Sequence, residues 1–365
     1  MVLICLQKQY NLNEARTGFL ERTTKREERI AMDKTVAFIG AGSFGTALST
    51  VLAGKGYRIN VFDIDQEHLA RMEADMENKD YLPGVKLSGD YHFCKTNEEA
   101  LKDAQFAIFA LPAQHLRAAL SAGVPYIGDE TIVMNISKGI ELKTLKRMSE
   151  IVEEFFDMQR YVCISGPSHA EEVGIGVPTA VAVSSRNKDA AFAVIDLFTT
   201  NKFKAYFNED MTGMEISGAV KNVMAVGSGI IKGMGYGDNT LAAMLTRGIA
   251  EMQRLGVAMG AKPETFAGLA GIGDMIVTCT SINSRNYRCG KLIGQGMDPE
   301  EARKSIGMVV EGMFTAEAIH ELADRYNVRM PISEAIYDVI HGNITVEDAL
   351  EILMTSPNLY EMNQY

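Results

Sequence analysis

The sequence of 365 residues is poor in cysteine and has no apolar run long enough to cross a bilayer. Its five cysteines are odd in number and show neither CxxC spacing nor a histidine partner, so neither a disulfide framework nor a zinc site is indicated. We therefore expect a cytoplasmic protein in a reducing compartment, with no integral membrane segment and no bound metal. The cysteines are Cys5, Cys94, Cys163, Cys279 and Cys289.

Positive charge is also in short supply, because 36 lysine and arginine residues stand against 47 aspartate and glutamate residues, a formal net charge of −11. Such a surface repels a phosphate backbone, which argues against a nucleic-acid partner. The content of 47% hydrophobic and 23% charged residues is that of a globular protein, and the length predicts two domains. Any anionic substrate must then be met by cations that are concentrated locally.

The first 31 residues differ from the chain that follows them. The apolar run 2–6 is too short for the core of a signal peptide, and the segment mixes four arginines with four glutamates, which a transit peptide would largely lack. We expect residues 1–31 to be a leader that is not part of the fold, with the folded chain opening near Met32.

Between Thr35 and about Asp210, short apolar and β-branched runs alternate with helical patterns such as 145–156 and 189–198. Strands that are apolar almost throughout indicate burial on both faces, and helical crossovers make neighbouring strands parallel. Residues 32–210 are therefore predicted to form an α/β domain, a Rossmann-type doubly wound and mainly parallel sheet. The eight predicted strands are 35–40, 58–63, 91–96, 105–112, 131–138, 161–167, 178–185 and 203–208.

After about Asp210 the strand signals end and helical patterns continue. Segments 214–234 and 240–256 carry apolar residues at spacings of three and four. Two positions are predicted to be helix N-caps, namely Asp298, which precedes a proline, and Thr345, which precedes a valine. Residues 211–365 are predicted to form an all-α domain that contributes substrate-binding and catalytic groups.

The segment GAGSFG at 40–45 follows the first predicted strand and opens a helix. In a dinucleotide-binding turn Gly40 would permit the tight bend, Gly42 would let backbone N–H groups approach the pyrophosphate, and Gly45 would allow close helix packing. The second strand ends at Asp63, 23 residues after Gly40, where an acid would hydrogen-bond the adenosine ribose. A glycine turn without a ligand is the alternative, which strand, helix and acid together disfavour.

Asp63 also bears on the choice of cofactor between NAD and NADP. A carboxylate facing the 2′-hydroxyl would repel a 2′-phosphate, and no arginine follows at once to receive one, so NAD is favoured. The alternative is that Asp63 only caps the turn, while Asp65 or Lys55 sets a looser preference.

Two lysines and one aspartate stand out as candidate catalytic groups. Lys138 follows the fifth strand, where ligands of open α/β sheets bind, although a lysine in such a loop is commonly just solvated. Lys221 lies in a helix with apolar or small neighbours, so we expect a lowered pKa and acid/base use; an interdomain salt bridge is the alternative. Asp274 in the GIGD segment has the sequence of a helix N-cap.

Ser284-Arg285-Asn286 is predicted to open a helix. Free N–H groups at a helix start and a planar guanidinium together suit a phosphate. A surface charge is the alternative for an isolated arginine.

These segments together resemble the NAD(P)-dependent sn-glycerol-3-phosphate dehydrogenase family. The motifs that carry the resemblance are GAGSFGTAL, SKGIE, SGPSHAEE, VKNVMA, GLAGIGDMIVTCTS, SRNYRCG and VVEG, in family order over roughly 34–355. The chain departs from many relatives at 62–65, where they carry a basic residue, which puts an NADP preference in doubt. His169, which is aromatic in some members, is expected to serve packing or loop orientation.

The resemblance implies that Lys221 donates and accepts the proton and that Arg285 lies where phosphate and cofactor meet. It implies that the glycerol phosphate is positioned by Lys138, Asp274, Ser284 and Asn286, and that the substrate site is lined by Gly166 and Ser168. It implies dinucleotide contacts from Ser43, Phe44, Lys138, Ala170, Arg285, Val309 and Glu311.

The implied reaction is reversible hydride transfer between NAD(P)H and dihydroxyacetone phosphate, giving sn-glycerol 3-phosphate for glycerophospholipid synthesis. The partner is thus a small molecule, and a homodimer is compatible with the sequence. Two alternatives are a related dehydrogenase of the 6-phosphogluconate or 3-hydroxyacid type and a non-catalytic dinucleotide-binding redox sensor. The SRN and GIGD segments argue against the first, and a buried lysine beside a second anion site argues against the second.

Overall fold

The structure, a computed structural model, describes residues 34–355. The predicted leader 1–31 and Cys5 therefore lie outside the described residues. Within 34–355, none of the helices combines the length and the apolar character that are needed to cross a membrane.

The first part of the described chain forms one eight-stranded sheet. Its strand order is β3-β2-β1-β4-β5-β6-β7-β8, and all neighbours are parallel except β6 and β7. The mainly parallel doubly wound sheet predicted from the sequence is thus confirmed. The strands are β1 Thr35–Ile39, β2 Arg58–Phe62, β3 Tyr91–Phe93, β4 Phe106–Phe109, β5 Ile132–Asn135, β6 Tyr161–Ser165, β7 Thr179–Ser184 and β8 Phe203–Phe207.

Within residues 34–355, seven α-helices accompany the sheet and eight follow it. Those between the strands are α1 Ser43–Ala53, α2 Gln66–Asp75, α3 Asn97–Leu101, α4 Leu116–Gly123, α5 Met148–Val152, α6 Ala170–Gly174 and α7 Lys188–Phe198. Those after β8 are α8 Met211–Gly233, α9 Asp238–Ala258, α10 Asp274–Thr280, α11 Arg285–Gly294, α12 Pro299–Ser305, α13 Glu311–Tyr326, α14 Pro331–Ile340 and α15 Val346–Met354. The predicted change from strands to helices after about residue 210 is confirmed.

The helix predicted over 145–156 is wrong in extent. Leu145 has a positive φ of 57°, and Ile140 pairs with Arg147 in an isolated β-bridge, so the helix begins only at Met148. The buried Leu145 side chain packs into the core of the helical half. This long-range packing overrides the local apolar spacing, so that α5 has a little over one turn.

The helix that carries the predicted catalytic lysine is the centre of the helical half. Most residues of α8 are buried, and it packs closely on α11. A Cβ added at Gly229 would overlap the Tyr287 carbonyl oxygen, and one added at Gly290 would overlap that of Val226. The two backbones therefore touch without intervening side chains, which fixes one helix against the other.

Candidate active site

The glycine-rich loop has the geometry of a dinucleotide-binding turn. Gly40 has φ +103°, and a Cβ there would lie 2.6 Å from the Ala110 carbonyl oxygen, so only glycine fits. A Cβ at Gly45 would lie 2.7 Å from that of Ala110, which explains the close packing of α1 on the sheet. Gly42, by contrast, borders open space at the start of α1, where no side chain caps the helix. The N–H groups there suit a pyrophosphate.

Asp63 fastens this loop to the end of β2. Its carboxylate accepts the Ala41 N–H at 2.7 Å and the Asp65 N–H at 2.9 Å. The Asp65 carboxylate caps α2 by accepting the His68 N–H. Lys55 donates to three carbonyl oxygens at the end of α7. Asp63 therefore holds the turn through both carboxylate oxygens, while the side chains of Asp65 and Lys55 are engaged at helix ends.

Lys221 is buried in α8, with 6% of its surface exposed. Its ammonium donates to Asp274 Oδ1 at 2.9 Å and to Thr278 Oγ1 at 2.8 Å. Burial lowers the pKa of Lys221 to about 8, although the charge of Asp274 opposes this, and Lys138 lowers it further. The lowered pKa expected from the sequence is confirmed, and it places the group in the working range of an acid/base catalyst.

Asp274 lies between the two lysines. Its carboxylate accepts from Lys138 Nζ at 2.6 Å and from Lys221 Nζ at 2.9 Å. Burial would raise the pKa of Asp274, but the two ammonium groups outweigh burial and lower it. The N-cap expected from the sequence is wrong, because Asp274 is the first residue of α10 and its side chain turns to the lysines instead of the helix start.

Lys138 is held from both halves of the chain. Besides Asp274 it donates to the Gly166 carbonyl oxygen at 3.0 Å, and its ammonium lies 6.0 Å from the centre of the Phe44 ring. Ser168 Oγ donates to the same carbonyl at 2.9 Å. Lys138 is thus a fixed, half-buried cation and not a solvated loop residue.

At the start of α11, the side chains of Ser284 and Asn286 form hydrogen bonds with other described residues, whereas that of Arg285 does not. Ser284 caps the helix by accepting the Tyr287 N–H, and Asn286 bridges from Asn222 Oδ1 at 3.0 Å to the Gly312 N–H at 2.9 Å. The polar groups of Ser284 and Asn286 are therefore committed to holding the fold. The guanidinium of Arg285, in contrast, has no hydrogen-bond or ion-pair partner within residues 34–355.

Arg285 faces acidic groups at a distance. Burial lowers its pKa, while the charges of Glu311 and Glu171 oppose that effect. Arg285 is half-buried, and its donors are not sealed off from solvent. An anionic ligand would supply the missing acceptors.

Glu311 has one carboxylate oxygen engaged and one free. Oε1 accepts the Ala113 N–H at 3.0 Å, whereas Oε2 is buried without a hydrogen-bond partner among the described residues. Burial raises the pKa of Glu311. A Cβ placed on Gly139 would lie 3.4 Å from this oxygen, so Glu311 borders the segment that carries Lys138. An unpaired buried oxygen beside the Lys138 segment suits a polar group of a cofactor.

The remaining predicted contact residues lie around these groups. Ser43 opens α1, Ala170 opens α6 and packs in the same cluster as Phe44, and the half-buried Val309 precedes Glu311 by two residues. The structure thus joins Lys138, Lys221, Asp274, Gly166 and Ser168 in one hydrogen-bonded cluster, whereas the carboxylate of Asp63 bonds to the backbone of Ala41 and Asp65 instead.

Sequence reasoning missed two residues of this cluster. Thr278 follows Asp274 by four residues, so both lie on one face of α10, and that spacing was the available signal. Asn222 donates to the Lys138 carbonyl oxygen at 3.2 Å and accepts from Asn286, which no local pattern indicates.

A glycine turn over a parallel sheet, beside a buried lysine of lowered pKa, defines a nicotinamide-dependent oxidoreductase whose site is completed by a helical second half. Comparison with known proteins narrows this class. The models of the NAD-dependent glycerol-3-phosphate dehydrogenase N-terminus and C-terminus match residues 35–191 and 210–351. The chain belongs to the NAD-dependent glycerol-3-phosphate dehydrogenase family.

Individual relatives agree with this assignment. Glycerol-3-phosphate dehydrogenase [NAD(P)+] of Bacillus velezensis is 48% identical over 332 residues, covering 90% of this chain and 96% of that protein. The enzyme of the same name from Bacillus subtilis is 46% identical with the same coverage. A crystal structure of glycerol-3-phosphate dehydrogenase from Coxiella burnetii has a TM-score of 0.83 at 32% identity, covering 88% of this chain and 99% of that one. These matches give no support to the 6-phosphogluconate-type or sensor alternatives.

Proposed function

We propose that this chain catalyses reversible hydride transfer between NAD(P)H and dihydroxyacetone phosphate, giving sn-glycerol 3-phosphate for glycerophospholipid synthesis. The observation that carries the proposal is the pair of ion pairs that Asp274 forms with Lys138 and Lys221, in which Lys221 has a pKa of about 8. A carbonyl reduction needs a proton for the oxygen as the hydride reaches the carbon, and Lys221 is placed and tuned to give it.

The dinucleotide would be held along the glycine loop and across to the helical half. The free N–H groups at Gly42 and Ser43 would bind the pyrophosphate, and the unpaired oxygen of Glu311 would meet a polar group of the nicotinamide end. Phe44, Ala170 and Val309 would contribute packing. When bound, the nicotinamide supplies or accepts the hydride.

The substrate phosphate would bind at the start of α11. Arg285 has the unused donors, and the helix N-terminus adds partial positive charge. Ser284 and Asn286 would act chiefly by fixing that helix start, because their side-chain groups already have protein partners. Gly166 and Ser168 would line the opposite side beside Lys138.

Proton transfer would run through Lys221, with the other two members of the cluster holding it. At neutral pH a lysine of pKa about 8 is mostly protonated, so it donates to the developing alkoxide and recovers its proton from solvent. Asp274 keeps the ammonium in place, and Lys138 adds positive potential where negative charge develops. In the reverse direction neutral Lys221 accepts the hydroxyl proton.

For the cofactor we propose a preference for NAD over NADP. Asp63 keeps a carboxylate at the end of β2, fixed by two backbone N–H groups, where a 2′-phosphate would be repelled. Initial rates with NADH and NADPH at equal concentration test this, and equal catalytic efficiency with the two cofactors would contradict it.

We also propose that the chain divides into a dinucleotide-binding domain at 32–210 and a substrate and catalytic domain at 211–365. The long helix α8 begins directly after this boundary, where Asp210 caps it and also accepts the Lys262 N–H. A cytoplasmic location and a homodimer belong to the same proposal. Sedimentation analysis tests the dimer, and a monomer at micromolar concentration would rule it out.

The decisive experiment is NADH oxidation with dihydroxyacetone phosphate against a panel of hydroxyacid-derived ketones. Lys221→Ala should lose most of kcat while it still binds NADH, because the proton donor is removed and the glycine loop is untouched. Lys232→Ala is the matched control, since Lys232 lies on the same helix but pairs with the exposed Asp238. Near-normal turnover by Lys221→Ala would refute the assignment of the proton donor.

A further inference from the structure

His169 makes a contact that joins the sheet half to the helical half. It lies in the turn after β6, immediately before α6, between the segment of Gly166 and Ser168 and the residues of α6. Its Nε2 lies 3.1 Å from the carbonyl oxygen of Val277, which belongs to α10. The contact spans 108 positions of the sequence.

The partner atom is one that the helix leaves unsatisfied. Val277 lies in the last turn of α10, and the last four carbonyl groups of an α-helix have no intrahelical partner. A carbonyl oxygen accepts only, so Nε2 must carry a hydrogen, and in a neutral ring Nδ1 then carries none. Burial lowers the pKa of His169, which agrees with a neutral ring of this tautomer.

The helix that receives this hydrogen bond holds the proton-transfer groups. Asp274 and Thr278 lie one turn apart on α10, and both accept hydrogen bonds from Lys221. Val277 is the residue before Thr278, so displacement of its carbonyl moves the Thr278 side chain directly. α10 has seven residues and continues a π-helical turn, Leu269–Gly273, so the helical segment is still only twelve residues long and its orientation depends on contacts outside it.

We propose that His169 is a positioning residue for proton transfer, which acts through the Val277 carbonyl to hold Asp274 and Thr278 against Lys221. The inference rests on the function proposed above for Lys221. His169 is not a catalytic acid in this arrangement, because its one N–H is committed to the helix carbonyl.

The test compares two replacements of similar size. The amide nitrogen of glutamine reaches about as far from the backbone as Nε2 of histidine, so His169→Gln retains a donor for Val277. His169→Leu keeps apolar bulk and loses the donor. His320→Leu is the control for loss of an imidazole, since His320 stacks on Tyr337 in the helical half.

We expect His169→Leu to lose roughly ten- to a hundredfold in kcat for dihydroxyacetone phosphate, because misplacement of a catalytic group by about 1 Å has effects of that size. The KM for NADH should stay within about twofold, and His169→Gln should recover most of kcat. Equal losses in the leucine and glutamine variants would show a packing role and overturn the proposal, as would wild-type kcat in the leucine variant.

A second readout needs no turnover. The pKa of Lys221, followed by NMR of ¹³C-labelled lysine in the whole enzyme, reports the groups that face it: Asp274 raises it, Lys138 lowers it and the Cys279 thiol raises it. Loosening of α10 should lower this pKa in His169→Leu and leave it unchanged in His169→Gln. An unchanged pKa of Lys221 in the leucine variant would overturn the role proposed for His169. Inactivity of the wild-type enzyme on dihydroxyacetone phosphate would refute the proposed function instead, and the pKa measurement would still test His169.

Discussion

Replacing Asp274 by asparagine would remove the negative charge that lies between Lys138 and Lys221 while keeping the size of the side chain. The carboxylate is 2.6 Å from one ammonium and 2.9 Å from the other, and Asp274 is almost fully buried. An asparagine there could accept one hydrogen bond through its oxygen, but its amide group would face the second ammonium as a donor facing a donor.

The size of the effect follows from the cost of breaking a buried ion pair, about 3 kcal/mol or more. Loss of a proton from Lys221 would relieve this cost, because that group already has a pKa of about 8. A cost of 3 kcal/mol corresponds to more than a hundredfold in proton affinity, so at pH 8 the protonated fraction would fall from about half to about one hundredth. We therefore expect kcat for dihydroxyacetone phosphate reduction to fall about fiftyfold at this pH.

The assay is the initial rate of NADH oxidation between pH 6 and 9. In the wild type, kcat should fall as pH rises through the pKa of Lys221, and in Asp274→Asn this limb should move to lower pH. Thr278→Val is the matched comparison, because it removes the neutral hydrogen-bond acceptor of Lys221 and leaves the charge of Asp274 in place. For this variant we expect a loss of about tenfold or less in kcat. Wild-type kcat and an unmoved limb in a folded Asp274→Asn variant would refute the role assigned to this carboxylate.

Three other expectations follow from single contacts. Arg285→Ala should raise the KM for dihydroxyacetone phosphate by about thirtyfold or more, because charge-assisted hydrogen bonds to the phosphate are lost. Arg288 is exposed, and Arg288→Ala should change this KM less than twofold. Similar effects of the two substitutions would contradict the proposed phosphate site. Gly290→Ala should lower the free energy of unfolding by about 2 kcal/mol or more, because a Cβ at this position overlaps the α8 backbone. Urea denaturation measures this change, and an unaffected midpoint would contradict the close packing of the two helices. Burial raises the pKa of Glu251 to about 7 from its ordinary value of 4.5, so the native state holds this proton more tightly than the unfolded chain. The stabilisation by Glu251 is complete below pH 4.5 and is lost as pH rises through 7. The loss in the free energy of unfolding should be about 3 kcal/mol relative to Glu251→Gln. Parallel pH profiles of stability for the two proteins would contradict this expectation.

Features set by near neighbours in the sequence were predictable. All eight strands lie where the apolar runs predicted them, although the predicted runs extend up to three residues beyond the observed ends. The excess lies mainly at the carboxyl ends, where the chain leaves the sheet towards the site. The caps at Asp298 and Thr345 are likewise confirmed, because a cap is decided within four residues.

Features set by distant contacts were not predictable in this way. Asp274 has the local sequence of an N-cap, and its real partners lie 136 and 53 positions away. The start of α5 at Met148 depends on Glu215 of α8, whose carboxylate accepts the Ser149 N–H at 2.7 Å and pairs with Arg147. The family resemblance supplied the roles of the site residues, but only the geometry distinguishes side chains with free donors from those already engaged.

That distinction changes how the phosphate site is understood. In the motif SRN all three residues carry groups that bind phosphate in general, and the resemblance implies that each of them contributes to the site. The structure shows that the side-chain groups of Ser284 and Asn286 are engaged in holding the fold, while Arg285 is half-buried with its donors unused among residues 34–355. A half-buried guanidinium in that state binds an anion through charge-assisted hydrogen bonds, and no ion pair among the described residues has to be broken first. Loss of Arg285 should therefore affect substrate binding, and loss of Ser284 or Asn286 should affect the stability of the helix start first.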